Sequence, residues 1–373
     1  MKILFLTTPN EEGLSDILYN GLVKSGNKVI DFPRKPFYHC HSSNGKIRVR
    51  DEQNSEVIED FNGTLTLPNG MKSHRKFSTI ATDSEDHPVD PLSEDYEFVV
   101  VSSLNAQNNE LLDLIGSRKK VPIYFLDGRD DPFLLKILER YKLYFKRELY
   151  RNNFAVIKKF GALKKLGFSY YDKLRSQAPV SLSYTIFNIF SPQLVKKKIL
   201  PLNLSINDHT FKKHSGEKEF DFCFISSPNT PYRIKTSKML EKLASKHNLK
   251  VFLNLTEFQN NKTPQVPWNE YVDVTQNSKM AISLPGAGFD TFRYWEIPYY
   301  GTCLVSPYLP IEIPNNFEDM NSAIFFSNFS QLEKKLLRTL KNDSWKEIAI
   351  EGHKKFKQYH SSEQRAKRFL ESL

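Results

Sequence analysis

The sequence is short of cysteine, of long apolar runs and of repetition, and each shortage excludes something. Its three cysteines among 373 residues, Cys40, Cys223 and Cys303, are an odd number at wide spacing. That pattern argues against a disulfide framework and suits a reducing compartment, so a cytoplasmic protein is expected. No apolar run approaches the ~18 residues a membrane span needs. The apolar part of residues 1–8 is too short for a secretory signal and lacks a small-residue cleavage site, so a first strand is expected there. No internal repeat or low-complexity tract is present. The first loop, 8–13, is acidic and lacks G-x-G-x-x-G, which makes it a poor dinucleotide-phosphate turn. His39, Cys40 and His41 are consecutive, so an extended chain turns them to opposite faces. With no second cluster at ligand spacing, neither a metal nor another cofactor is expected.

What remains is a chain with 39% hydrophobic and 13% aromatic residues, long enough for two domains with their own cores. Its net charge is +10. The charge is concentrated: residues 136–198 hold fifteen Lys and Arg against three Asp and Glu, a local surplus of twelve, and the rest is near neutral. Tyr141, Tyr144, Phe145, Phe160, Phe168, Tyr170 and Tyr171 are interleaved with these charges. Such a surface suits an anionic membrane face, a polyanionic acceptor or nucleic acid; the plain alternative is a solvated helical face with its aromatic side in the core.

Hydrophobic periodicity alternates between strand and helix. Residues 3–7, 13–24 and 28–32 read as strand, helix and strand, the start of a parallel sheet. Residues 34–95 are polar and are expected to be loops with a small hairpin near 64–70. Strands follow at 96–102 and 121–126 around a helix at 108–116. The second strand runs into Asp127, Asp130 and Asp131, a carboxylate cluster where open α/β sheets bind ligands, although Asp and Gly are also ordinary turn residues. Lys146, Arg147 and Glu148 form an anion-binding candidate or a paired surface set. Prolines and the Lys196–Lys198 run suggest a linker at 196–216. A second α/β unit is expected at 217–355, with a last helix at 356–373 and a first domain of 1–195. Two such units leave a cleft between them.

The stretch 283–301 stands out. An apolar strand at 280–284 enters a loop with Gly286 and Gly288. A short helix follows, Gly301 closes it, and a strand leaves at 302–306. A strand running into a glycine loop that opens a helix offers unpaired N–H groups to an anion. One reading of Arg293 and Glu296 is an i,i+3 ion pair beside a core stripe of aromatics. The functional reading has the N–H groups of residues 288–291 and Arg293 on a phosphate, with Glu296 on ribose hydroxyls.

Gly288-Phe289, Thr291, Arg293, Glu296 and Gly301-Thr302, with His360 to Ala366 further on, resemble the donor half of GT-B glycosyltransferases. The similarity is greatest to the spore-maturation and exostosin-like (glycosyl transferase family 1-like) group, over about 150 residues from 221 onward. The resemblance implies two Rossmann-like domains facing across a cleft, and transfer of a sugar from a nucleotide-diphosphate sugar without a metal. It implies that Glu296 holds the ribose, and that the loop of Gly286, Gly288, Phe289, Asp290 and Thr291 faces the phosphates and sugar. Arg233 and Lys238 have the spacing of a diphosphate-binding pair. Many retaining relatives carry a Glu at the position of Gly288, so a sugar contact is missing there and the stereochemical outcome is open. Asp127, Asp130 and Asp131 are the general-base candidates. A glycan, lipid-linked or other anionic acceptor is expected, with peripheral membrane contact through the basic segment. The alternatives are a non-catalytic module of this fold and a nucleic-acid-binding protein.

Overall fold

The computed structural model describes residues 1–8, 13–35, 81–85, 87–130, 140–149, 199–206, 218–228, 230–255, 266–286 and 288–373, together with the backbone of four strands between 46 and 74. Strand β1 (Lys2–Leu6), helix α1 (Gly13–Lys24) and strand β2 (Lys28–Phe32) open the chain as its periodicity predicts. Residues 3–6 and 29–32 are buried. Both faces of these strands are covered, which is why their apolar residues run continuously instead of alternating.

The 34–95 region holds more than a hairpin. Strands β3 (Lys46–Arg50), β4 (Glu56–Asp60), β5 (Thr64–Thr66) and β6 (Lys72–His74) form a four-stranded antiparallel sheet of their own. Strands β5 and β6 pair as the expected hairpin requires, with Thr66 opposite Lys72, and the turn itself lies outside the described residues. Strands β7 (Ala81–Thr82) and β8 (Pro88–Val89) return to the first sheet.

Strand β9 (Phe98–Val101), helix α2 (Ala106–Arg118), strand β10 (Ile123–Asp127), strand β11 (Leu143–Lys146) and strand β12 (Ile199–Pro201) complete that sheet. Its order is β12-β11-β10-β9-β1-β2-β7-β8, parallel from β12 to β2 and antiparallel beyond. Residues 199–201, placed in a linker by their prolines and lysines, are therefore the edge strand of the first domain. Pro201 sits there at an edge, where no ladder hydrogen bond is lost.

The second sheet is built from β13 (Phe220–Ser226), β14 (Val251–Leu255), β15 (Ser278–Ile282), β16 (Cys303–Pro307) and β17 (Ile324–Phe326). All are parallel, in the order β14-β13-β15-β16-β17. Helices α3 (Pro231–His247), α4 (Trp268–Gln276), α5 (Phe292–Tyr299), α6 (Phe329–Lys341), α7 (Trp345–Tyr359) and α8 (Ser362–Glu371) belong to this half. Ser361 caps α8 by accepting a hydrogen bond from the Gln364 N–H at 3.3 Å, as its capping-box spacing predicts.

Helix α8 crosses back to the first domain. It packs along α1, and the Phe369 ring meets those of Phe98, Tyr124 and Phe145 at 6.0, 6.0 and 4.6 Å. Arg365 is buried at the crossing, with its guanidinium 4.7 Å from the centre of the Trp295 ring and its Nε and Nη2 donating to the Leu204 carbonyl. One hydrophobic core thus runs through both domains. Among the described residues, no helix is long and apolar enough to cross a membrane.

Candidate donor site

The chain leaves β13 toward β14 on one side and reaches β15 on the other. Such a reversal opens a crevice at the carboxyl ends of the two strands. A cavity of about 440 Å³ lies there. Ser226 and Ser227 line it from the end of β13, and Trp268 and Tyr271 from α4. Gly288, Thr291, Phe292, Arg293 and Glu296 line it from the loop after β15 and from α5, and Asp130 and Arg147 face it from the first domain.

Glu296 is 7% exposed. Its Oε2 accepts from the Tyr271 hydroxyl at 2.5 Å. Burial raises its carboxyl above the ordinary range, while the Tyr271 hydrogen bond and the Arg293 charge pull it back. Arg293 makes no direct ion pair with Glu296 among the described residues; its guanidinium stands 5.6 Å from the centre of the Tyr271 ring, and its buried Nε has no hydrogen-bond partner there. The i,i+3 surface pair is thus not what these two residues form. Tyr271 lies between them, and both side chains face the cavity. Thr291, the N-cap of α5, makes no side-chain cap bond; its hydroxyl is 3.2 Å from that of Ser283. The N-terminal end of α5 carries positive partial charge next to Arg293.

Arg233 takes a different place from the one its spacing implied. It is buried near the start of α3, donating to the Pro285 carbonyl at 3.1 Å, the Leu284 carbonyl at 3.3 Å and the Ser227 hydroxyl at 2.8 Å. It braces the glycine loop from behind. A Cβ at position 286 would fall 2.9 Å from the Arg233 Nη2, so a larger residue there would have to displace this guanidinium. Lys238, five residues on, is turned about 140° round the helix. It is exposed and lines a separate groove with Lys235, Lys242 and Lys246. The structure does not bring it to the cavity.

The first domain accounts for the remaining candidates. Asp127 is buried, with Arg129 on both of its oxygens at 2.9 Å, Lys146 at 3.1 Å and the Tyr144 hydroxyl also donating to it. Burial works against its charge, but these partners outweigh it and hold the carboxyl below its ordinary value. Neither Asp127 nor the fully buried Lys146 lines the cavity, so the pair serves structure. Asp131 lies outside the described residues, as do His39, Cys40, His41 and most of the basic segment. Asp130 faces the cavity with its side chain 41% exposed, and Arg147 donates to it.

Arg147 also reaches the second domain, donating through Nε to Asp290 Oδ1 at 2.7 Å and through Nη2 to the Asp290 carbonyl. Asp290 Oδ2 accepts from the Leu204 N–H at 2.7 Å. Asp290 is fully buried by these bonds and Phe289 is part of the core, so neither offers its side chain to a ligand. Glu148 Oε1 accepts from the backbone N–H groups of Phe289 and Asp290. Two of the loop N–H groups expected to grip phosphate are therefore held by an internal carboxyl group. Arg293, Thr291 and Ser227 are left to face an anion.

Residues 233–371 match the family described as glycosyl transferase-like. The matched residues make up a little over a third of the chain and lie in its second α/β unit. No curated protein sequence matches the chain. A glycosyltransferase from Rickettsia africae ESF-5 is similar in structure, with a TM-score of 0.52 and 10% identity over 99% of this chain and 97% of the other. TarM has a TM-score of 0.49 and 10% identity over 100% and 98% of the two chains. A sucrose-phosphate synthase from Thermosynechococcus elongatus has a TM-score of 0.48 and 9% identity over 99% and 97%. The two α/β domains facing across a cleft are the GT-B fold that the motif residues imply.

Within the second domain, Trp268, Tyr271, Phe292, Ser226 and Ser227, with Ile225 and Val266, are cavity residues that the sequence does not single out. A signal was available for some of them. Ser226 and Ser227 end the first strand of the domain, where α/β sheets place ligands. Trp268 and Tyr271 are aromatic residues three apart on α4, with rings 5.3 Å between centres, and Trp268 is 48% exposed. An exposed tryptophan beside a cavity has little reason to be there for stability alone.

Proposed function

We propose that the protein is a glycosyltransferase that binds a nucleotide-diphosphate sugar in the cavity between β13 and β15 and transfers the sugar to an acceptor held on the first domain. The observation that carries this is the arrangement of Glu296 and Arg293. Both face one cavity at the strand-order reversal, at the mouth of a helix whose N-cap side chain is not used for capping. Glu296, oriented by Tyr271, accepts hydrogen bonds from the ribose hydroxyls. Arg293, Thr291 and Ser227 meet the diphosphate. As the glycosidic bond breaks, negative charge grows on the departing phosphate; Arg293 and the α5 N-terminus stabilise it without a resident metal. Trp268 offers a flat apolar face to the base or the sugar.

Asp130 is a carboxylate on the acceptor side of the cavity, and of the candidate bases among the described residues it is the one that lines it. Arg147, donating to it, fixes its position at the cavity wall, where a general base has to stand. The acceptor is a glycan, a lipid-linked glycan or another anionic molecule, attracted by the surplus of positive charge in 136–198, and the protein works in the cytoplasm at or near a membrane surface.

Thermal unfolding in the presence of UDP, GDP, ADP and CMP sugars tests the reading. At a hundred times its dissociation constant, a ligand bound only by the native state stabilises it by about 2.7 kcal/mol. One nucleotide class is expected to raise the midpoint of the wild-type chain and to leave Glu296→Ala unchanged. A panel without any shift, or an equal shift in the variant, contradicts the assignment.

A further inference from the structure

Position 288 is glycine at the wall of the cavity, and the reason lies in the other domain. A Cβ built there would fall 2.7 Å from Asp130 Oδ1 and 3.0 Å from Glu148 Cδ, and closer still to Glu148 Oε1. The space beside the loop is thus already filled by two carboxyl groups that arrive from the first domain. Glu148 is fully buried and does nothing in the mechanism above. Its Oε1 takes the N–H groups of Phe289 and Asp290, while its Oε2 is buried with no hydrogen-bond partner among the described residues.

We propose that Glu148 is a positioning residue of the donor site: from the first domain it grips the backbone of residues 289–290 and occupies the place of a side chain at 288, so the loop takes its ligand-binding shape only when the two domains are docked. The proposal rests on the reading of the cavity as the donor pocket.

The alternative is a buried interdomain contact that merely stabilises. Two features favour a positioning role. The contact is made to the backbone of residues 289 and 290, which lie between the cavity residues Gly288 and Thr291. It also leaves a polar oxygen buried and unsatisfied, which costs stability and is seldom kept for stability's sake. The groups facing Glu148 are Arg147 beside it, Asp130 from the loop after β10 and Asp290 from the second domain, whose own charge is influenced by Arg365 of α8. Burial raises the Glu148 carboxyl, Arg147 opposes this, and Asp290 and Asp130 add to it, leaving it at about 8. The docked form is therefore the neutral acid. A group whose value is raised on docking favours the docked state fully below its free value of 4.5, and that advantage is lost as pH rises from there through about 8.

Two measurements on the full-length chain test this. The first is a double-mutant cycle of Glu148→Ala and Gly288→Ala, read as thermal unfolding midpoints without any nucleotide. Gly288→Ala is expected to lower the midpoint by about 1–4 °C in the wild-type background and by less than half of that beside Glu148→Ala. Additive shifts overturn the proposal. The second is the affinity for UDP, GDP, ADP and CMP sugars between pH 6 and 9. Glu148→Ala is expected to lose about tenfold at pH 7. Glu148→Gln, which keeps the acceptor and carries no proton to lose, stays within about threefold of wild type at pH 7 and abolishes the weakening seen above pH 8. Coupling in the cycle with unchanged affinity in Glu148→Ala shows a purely structural contact and overturns the positioning role. Absence of nucleotide binding by the wild-type chain overturns the donor reading and this role with it; the cycle needs no nucleotide, so it still reports whether Glu148 and Gly288 are coupled.

Discussion

Both sheets end in a cluster of charged residues, and Asp127 in one is far more fully engaged by protein partners than Glu296 and Arg293 in the other. At the ends of β10 and β11, Asp127 is engaged by Arg129, Lys146 and Tyr144, and Lys146 is fully buried against it. At the ends of β13 and β15, Glu296 has one protein donor on one oxygen, and Arg293 lies over a ring with its Nε unpaired among the described residues. Both clusters lie at the carboxyl ends of parallel strands, but only the second lies where the strand order reverses, and their commitment of hydrogen bonds differs. Buried ions satisfied by one another are structure, and those with capacity to spare beside a cavity are the candidates for binding.

The comparison is most forcefully broken at Asp127. Asp127→Asn removes the charge opposite Lys146 and is expected to destabilise the chain by about 3–5 kcal/mol, the usual consequence of leaving one buried charge unpaired. Urea unfolding measures this, and nucleotide affinity of the protein that remains folded should not change. The pH dependence carries the matching sign. The Asp127 carboxyl lies below its ordinary value of 3.8, so its contribution is present above about pH 4 and is lost as pH falls through the lowered value. On the other side, Arg293→Ala is expected to leave the unfolding curve nearly unchanged and to weaken nucleotide-sugar binding about tenfold, as loss of a charged hydrogen bond to phosphate does; calorimetric titration reads it. Lys238→Ala sharpens the contrast as the smallest effect, within about 0.5 kcal/mol in stability. Its affinity should equal wild type, because it faces the groove with Lys235 and Lys242 and not the cavity.

How much of this was legible in the sequence depends on whether the information was local. The strand, glycine loop and helix of 278–299 were readable because periodicity and glycine placement are properties of a short segment, and Glu296 and Arg293 followed from it. Arg233 was assigned to the donor diphosphate from its spacing to Lys238, but spacing does not reveal whether an arginine points at a ligand or at carbonyl groups behind it. Lys238 lines another groove for the related reason that a helix turns a residue five positions on toward another face. The meaning of Gly288 was out of reach. The absent side chain looked like a missing carboxyl group, whereas the space is filled by Glu148 and Asp130 from about 140 and 158 residues earlier in the chain. The edge strand at 199–201 was hidden by prolines and lysines that are tolerated at a sheet edge and resemble a linker. Trp268 was visible as an aromatic residue, but its exposure beside a cavity became apparent only in three dimensions.

The central claim is that Glu296 and its neighbours bind the nucleotide of a sugar donor. Isothermal titration of UDP, GDP, ADP and CMP into the wild-type chain and into Glu296→Ala tests it most directly. The account predicts saturable binding of one of the four by the wild-type protein and a loss of about a hundredfold or more in the variant, equivalent to about 2.7 kcal/mol, with the unfolding midpoint preserved. Equal affinity in the two proteins, or no binding of any nucleotide to the wild-type chain, would contradict it.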